Sequence, residues 1–146
     1  VSLEELSLIA SRIALNVKPG FVLFLSGDLG VGKTAFCKLF INSILPNEDV
    51  RSPTFPIVNV YESSSFSLWH CDLYRVGSYH EVEELGILDA AIHGSVLLVE
   101  WPSLIKKNVN PDLDIEIEYV SNSPHLRRIR VSLSKSTKWK CFKKSN

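Results

Sequence analysis

The stretch LSGDLGVGKT, residues 25–34, carries the spacing G-x-x-x-x-G-K-T from Gly27 to Thr34. Such a loop suits one kind of chemistry. Successive backbone N–H groups and the start of a following helix converge on a single anion, and the lysine reaches outer phosphate oxygens. Asp28, Leu29, Gly30, Val31, Gly32, Lys33 and Thr34 are therefore expected to form a phosphate cradle, with Gly30 and Gly32 admitting close backbone approach. Lys33 is expected on the β- and γ-phosphates and the Thr34 hydroxyl on Mg²⁺. Asp28 is the odd member. Its carboxylate would repel phosphate from inside the loop, so it is expected to point outward.

A phosphate loop that works with Mg²⁺ also needs a carboxylate at the end of a nearby apolar strand. Two positions qualify, Asp72 after FSLWHC and Glu100 after SVLLV. Either could hold Mg²⁺ through water or orient an attacking water. Ser52 and Thr54 lie in a short loop that could respond to a γ-phosphate as switch segments do. Arg51 and Arg75 are candidate charge stabilisers, although exposed arginines are usually solvated. His70, in a mostly apolar strand, reads as a structural histidine. Trp101 fits either the core or the wall of a nucleotide pocket.

The elements that must position these groups follow from patterning. SLEE at 2–5 has the capping-box form, and Leu3, Leu6, Ala10, Ile13 and Val17 recur at helical spacing. FVLFL at 21–25 and SVLLVEW at 95–101 are continuous apolar runs, as in strands buried on both faces of a parallel sheet. Phe36, Leu39, Phe40 and Ile44 mark a helix face that ends near Pro46. PIVNVYE and FSLWHCD flank a serine-rich turn and read as a hairpin. SYHE at 78–81 repeats the capping-box form, with Gly86 a break in the helix it opens. DLDIEIEYV alternates strictly, and LRRIRVSL should pair with it antiparallel at a sheet edge. The fold class expected is α/β: a three-layer P-loop NTPase fold with a mainly parallel central sheet and an antiparallel extension. One such domain should span 1–134, followed by a basic tail, 135–146.

The 146 residues suffice for one core, and 45% hydrophobic with 22% charged residues argues against disorder. No apolar run nears the roughly 18 residues of a spanning helix, and the amino terminus lacks a secretory pattern. A cytoplasmic protein with no membrane contact is expected. Met is absent even at position 1, so an initiator is expected upstream. Cys37, Cys71 and Cys141 share no metal-like spacing and are expected as reduced thiols, the first two as small apolar residues, without zinc. Net charge is zero but unevenly spread. Residues 1–118 hold 8 basic and 16 acidic side chains, whereas 119–146 hold 8 basic and no acidic ones. That end could attract nucleic acid or an acidic partner, or could simply be a solvated tail.

GDLGVGKT at 27–34, SPTF at 52–55, HCDLYR at 70–75, EELGILD at 83–89 and LVEWP at 98–102 occur together and in order. With them the chain resembles the bacterial TsaE (YjeE) family of small ATPases over about residues 2–133. The resemblance implies ATP and Mg²⁺ as cofactors. It also implies a role in forming N6-threonylcarbamoyladenosine at position 37 of tRNA. TsaD and TsaB would be partners that carry out the transfer, with tRNA met only through that complex. It places Lys33 and Thr34 on phosphate and Mg²⁺, Glu100 as the Mg²⁺-side carboxylate, and Asp72 as the acid needed for hydrolysis. Ser52 and Thr54 fall in the first switch-like loop, and Trp101 lies beside the nucleotide. Departures are small: Val31 stands where Ala is frequent and Phe55 where Tyr is.

Three other readings compete. A nucleoside or nucleotide kinase would need an arginine-rich lid, yet residues 72–100 contain Arg75 as their only Lys or Arg. A GTP switch would need an N-K-x-D guanine motif, which does not occur. An RNA-binding protein acting through its basic end would lose binding steeply with salt.

Overall fold

The computed structural model of the protein describes residues 1–53 and 57–133. Thr54, Phe55, Cys141 and the tail 135–146 lie outside the described residues.

Ser2 and Glu5 form a complete capping box at the start of α1 (Leu3–Leu15): the Ser2 hydroxyl accepts from Glu5 N, and the Glu5 carboxylate accepts from Ser2 N. These bonds satisfy N–H groups that a helix start otherwise leaves open. The buried stripe of α1 is Leu6, Ala10, Ile13 and Ala14. Leu3 belongs to the expected stripe but sits in the first turn, 52% exposed, and Val17 lies past the helix end.

The chain then forms β1 (Val22–Ser26), α2 (Lys33–Ile44), β2 (Val58–Glu62), β3 (Ser67–Asp72), α3 (Tyr79–Glu84), α4 (Ile87–Ile92) and β4 (Val96–Glu100). A 3-10 turn at Pro102–Leu104, β5 (Leu113–Val120) and β6 (Ser123–Leu133) complete it. The six strands make one sheet in the order β2-β3-β4-β1-β5-β6. β3, β4, β1 and β5 are parallel neighbours, while β2 and β6 pair antiparallel at the edges. The mixed sheet is thus mostly parallel with antiparallel ends, as the patterning indicates.

Alternation along the inner strands divides the core. Leu23, Leu25, Leu68, Val96 and Leu98 face α1 and α2, whereas Val22, Phe24, Cys71, Leu97 and Val99 face α3 and α4. This is why the inner runs are apolar throughout: each face has its own helical layer. Cys37 and Cys71 are both buried, in keeping with small apolar roles.

The second capping box is only half formed. Ser78 accepts from Glu81 N, but the Glu81 carboxylate turns to Gly77 N. Gly86, with φ 76°, separates α3 from α4. Along β5, Leu113, Ile115 and Ile117 point into the core, while Glu116 and Glu118 meet Arg130 and Arg128 of β6. Much of the positive end that the structure describes is therefore offset by its neighbouring strand. No helix among the described residues is long and apolar enough to cross a membrane.

Candidate functional site

The site forms where β1, β3 and β4 end together. The loop between β1 and α2 leaves Ser26 through Gly27, whose φ is 145°. A Cβ there would fall 2.3 Å from the Ile117 carbonyl of β5, so only glycine lets the loop pass. Gly30 and Gly32 differ. Their φ values of 75° and 128° require glycine, but an added Cβ would meet its nearest atoms at 3.4 and 3.5 Å, ordinary contacts within the protein. Val31 is fully buried in the core cluster beneath the loop. It anchors the cradle through its side chain and lines no part of the cavity.

Two residues from the β5–β6 hairpin hold the loop from outside. The Tyr119 hydroxyl donates to Leu29 O (3.2 Å), and Arg127 Nε donates to Val31 O (2.9 Å).

At the start of α2 the ordinary means of closing a helix are missing. Its N-cap, Gly32, has no side chain to accept from the first N–H groups, and its first turn has no acidic residue. By contrast, α1 has Glu4 and Glu5 there. An uncapped helix start with converging N–H donors favours an anion.

Lys33 is only 5% exposed. Its ammonium donates to Gly27 O and Asp28 O and lies 4.2 Å from the centre of the Trp101 ring. Burial pulls its pKa below the ordinary value, against the opposing pull of Glu100, Asp72 and Asp28. The Asp28 side chain is exposed, as expected, and its carboxylate makes no hydrogen bond among the described residues.

The Thr34 hydroxyl lies 2.9 and 3.2 Å from the two oxygens of Glu100. Glu100 is 2% exposed, and its Oε2 is 2.7 Å from His70 Nε2. β3 and β4 place Asp72 directly opposite Glu100. Asp72 Oδ1 accepts from Tyr74 N (3.0 Å). Burial raises the Asp72 pKa above the usual value and the nearby Glu100 charge adds to this, while the Tyr74 N–H opposes it.

Leu29, Gly30, Gly32, Lys33, Thr34, Ala35, Asp72, Glu100 and Trp101 line a cavity of about 240 Å³. A second cavity, of about 230 Å³, shares Leu29, Asp72 and Trp101 with it and continues past Pro53, Ile57, Tyr74 and Arg75. Trp101 stands between them at φ 57°, a left-handed backbone rare outside glycine, with its ring 4.7 Å from that of Tyr74.

The residues therefore suit a phosphate ligand with Mg²⁺. The uncapped helix start and the Lys33 ammonium would meet an anion, and a hydroxyl beside carboxylates would offer the hard oxygen donors that Mg²⁺ prefers. A softer metal fits less well. Cys37, His70 and Glu100 bring ligand-type atoms within 4.8 Å of one another, all buried. However, burial pushes the Cys37 thiol well above its ordinary pKa, against the thiolate a metal would need.

Of the residues expected at the site, Leu29, Gly30, Gly32, Lys33, Thr34, Asp72, Glu100 and Trp101 come together at the cavity. Asp28 and Val31 do not line it. Ser52 is exposed and lines neither cavity, although Pro53 beside it lines the second. Arg51 pairs with Asp49 on the surface. Arg75 is exposed at the rim of the second cavity. Patterning did not single out Tyr74, Tyr119 or Arg127. The last two reach the loop from 90 and 96 residues away, and no local spacing records that.

Residues 1–129 match the family model described as threonylcarbamoyl adenosine biosynthesis protein TsaE. A tRNA threonylcarbamoyladenosine biosynthesis protein TsaE of Rickettsia felis is 36% identical, over 92% of this chain and 79% of that one. The protein of the same name in Bacillus subtilis is 44% identical, over 75% and 68%. The crystal structure of Bacillus subtilis YdiB superposes with a TM-score of 0.69 at 33% identity, covering 92% of this chain and 82% of that one. By sequence over nearly its whole described length, and by fold, the chain belongs to the TsaE family.

Proposed function

We propose that the protein binds ATP with Mg²⁺ and hydrolyses it slowly, in the threonylcarbamoyladenosine modification of tRNA for which its relatives are named. Hydrolysis would drive the cycle of a complex with TsaD and TsaB, which carry out the transfer. The observation that carries this reading is the uncapped start of α2, bracketed by the Lys33 ammonium and by the Thr34–Glu100 pair.

Lys33 and the loop amides would hold the outer phosphates and stabilise charge as the phosphoryl group leaves. Mg²⁺, held by Thr34 and Glu100, would neutralise further phosphate charge when bound. Asp72, in the lining of the same cavity, would orient water for attack. Trp101 and Leu29 flank the space in which the rest of the nucleotide would lie. No arginine among the described residues reaches the lining of the first cavity. Slow hydrolysis by the isolated chain and faster hydrolysis with partners follow from that.

Phosphate release with TsaD and TsaB present tests the reading. The wild-type chain should hydrolyse ATP, with ATP outcompeting GTP, and Lys33→Ala or Thr34→Ala should abolish it. Normal hydrolysis by either variant would overturn the assignment.

A further inference from the structure

We infer that His70 is a positioning residue, one that sets the Glu100 carboxylate for the cation; the inference rests on the ATP–Mg²⁺ reading above. His70 and Glu100 lie on adjacent parallel strands, with His70 opposite Leu98 and Glu100 two residues further along β4. Because side chains alternate along a strand, Leu98 and Glu100 share one face, the face that packs under α2. His70 reaches Glu100 along that face at 2.7 Å, with the imidazole fully buried and the carboxylate almost so.

Three features separate this from an imidazole that only fills the core. First, His70 meets Glu100 from behind and lines no part of the cavity, whereas Glu100 does. Second, Glu100 is held from two sides, by His70 at Oε2 and by Thr34 at both oxygens. The imidazole therefore sets the carboxylate plane while the Thr34 side stays towards the cavity. Third, the other ring nitrogen, Nδ1, is buried and has no hydrogen-bond partner among the described residues. A polar ring in an apolar face with a single bond keeps its orientation through that bond. Carboxylates and imidazoles that orient a metal ligand in this way strengthen metal binding without touching the ion.

The test uses the full chain with His70→Phe, His70→Asn and His70→Gln. Gln can return an N–H donor to the Nε2 position, Asn is too short to do so, and Phe keeps the ring without a donor. Mn²⁺ binding to the protein–ATP complex is read by the electron paramagnetic resonance of free Mn²⁺, and ATP binding is read separately in EDTA. Phe and Asn should weaken Mn²⁺ binding by about 10–100-fold, with ATP affinity in EDTA changed less than about twofold and with Gln restoring most of the loss. Thermal denaturation accompanies each variant; should Phe fail to fold, the Asn–Gln pair alone decides.

Wild-type Mn²⁺ affinity in Phe or Asn would overturn the inference. So would equal losses in all three variants, or an equal loss of ATP binding in EDTA, since either marks a packing defect. If the wild-type chain binds ATP no better with Mn²⁺ than in EDTA, the ATP–Mg²⁺ reading itself falls and takes this inference with it.

Discussion

The Arg127 guanidinium lies over the Tyr119 ring, 4.6 Å from its centre, and the two side chains hold consecutive parts of the phosphate loop. Arg127 also donates to Pro124 O and Leu126 O, so one side chain ties the β5–β6 turn to the loop. Arg127→Ala should cost about 1.5–3 kcal/mol in thermal or denaturant unfolding, because the Val31 carbonyl loses a charged donor. ATP binding should weaken as well, since the loop amides are no longer held in register. Arg127→Lys should not restore it, since a point charge cannot copy the guanidinium fork. Tyr119→Phe keeps the ring under the cation and loses only the bond to Leu29 O, a cost of about 0.5–1.5 kcal/mol. A calorimetric ATP titration of all three, with melting curves, would expose the error if Arg127→Ala bound as the wild type does.

The glycines of the loop should separate into two classes. Gly27→Ala places a Cβ 2.3 Å from the Ile117 carbonyl and 2.9 Å from Val31 Cγ1, at φ 145°. The Ile117 backbone on one side and the fully buried Val31 side chain on the other leave little room to yield, so strain and overpacking together should cost roughly 3 kcal/mol or more. Gly30→Ala meets only the Tyr119 hydroxyl, at 3.4 Å, and should cost roughly 1–2 kcal/mol for its left-handed backbone. Melting temperatures in the reverse order would contradict this placement of β5 against the loop.

Which of these features could be read beforehand depends on how far apart in the chain the partners lie. The runs FVLFL and SVLLV announce buried strands because two helical layers leave them no polar face, and a strand-end acid such as Glu100 stands out against them. Lys33 and Thr34 are legible because the loop and its helix are contiguous. Asp28 stands out in the sequence as an acid inside an anion loop, and in the structure it is exposed and lines neither cavity. Tyr119 and Arg127 were not legible: their contacts with Leu29 and Val31 depend on the pairing of β5 with β1 and on a bulge near Tyr119. His70 shows the limit on a shorter scale. Its spacing from Asp72 puts both on one side of β3, but the sequence does not say that this side faces α2 and Glu100. The two capping boxes make the same point. Both have the right residue types, yet Glu81 finds Gly77 N before Ser78 N.

Asp72 should show a conflict between stability and activity. Its pKa is raised above 3.8 in the folded protein, chiefly by burial. The folded state therefore holds the proton more tightly than the unfolded one does, and stability falls as pH rises through the window from 3.8 up to the folded value. Above that window the charged carboxylate is a standing cost. Asp72→Asn removes the charge yet keeps an oxygen to accept from Tyr74 N. Its melting temperature should exceed that of the wild type at pH 7, and the gain should vanish below pH 3.8. Hydrolysis should fall by about 100-fold or more if the carboxylate orients water. ATP binding in EDTA should hold or tighten, since a negative charge beside the phosphate site has gone. Melting curves at the two pH values, taken with phosphate release, test both halves. An Asn variant with wild-type hydrolysis would remove Asp72 from the chemistry, and one less stable at pH 7 than at low pH, relative to wild type, would reverse the sign of the burial argument.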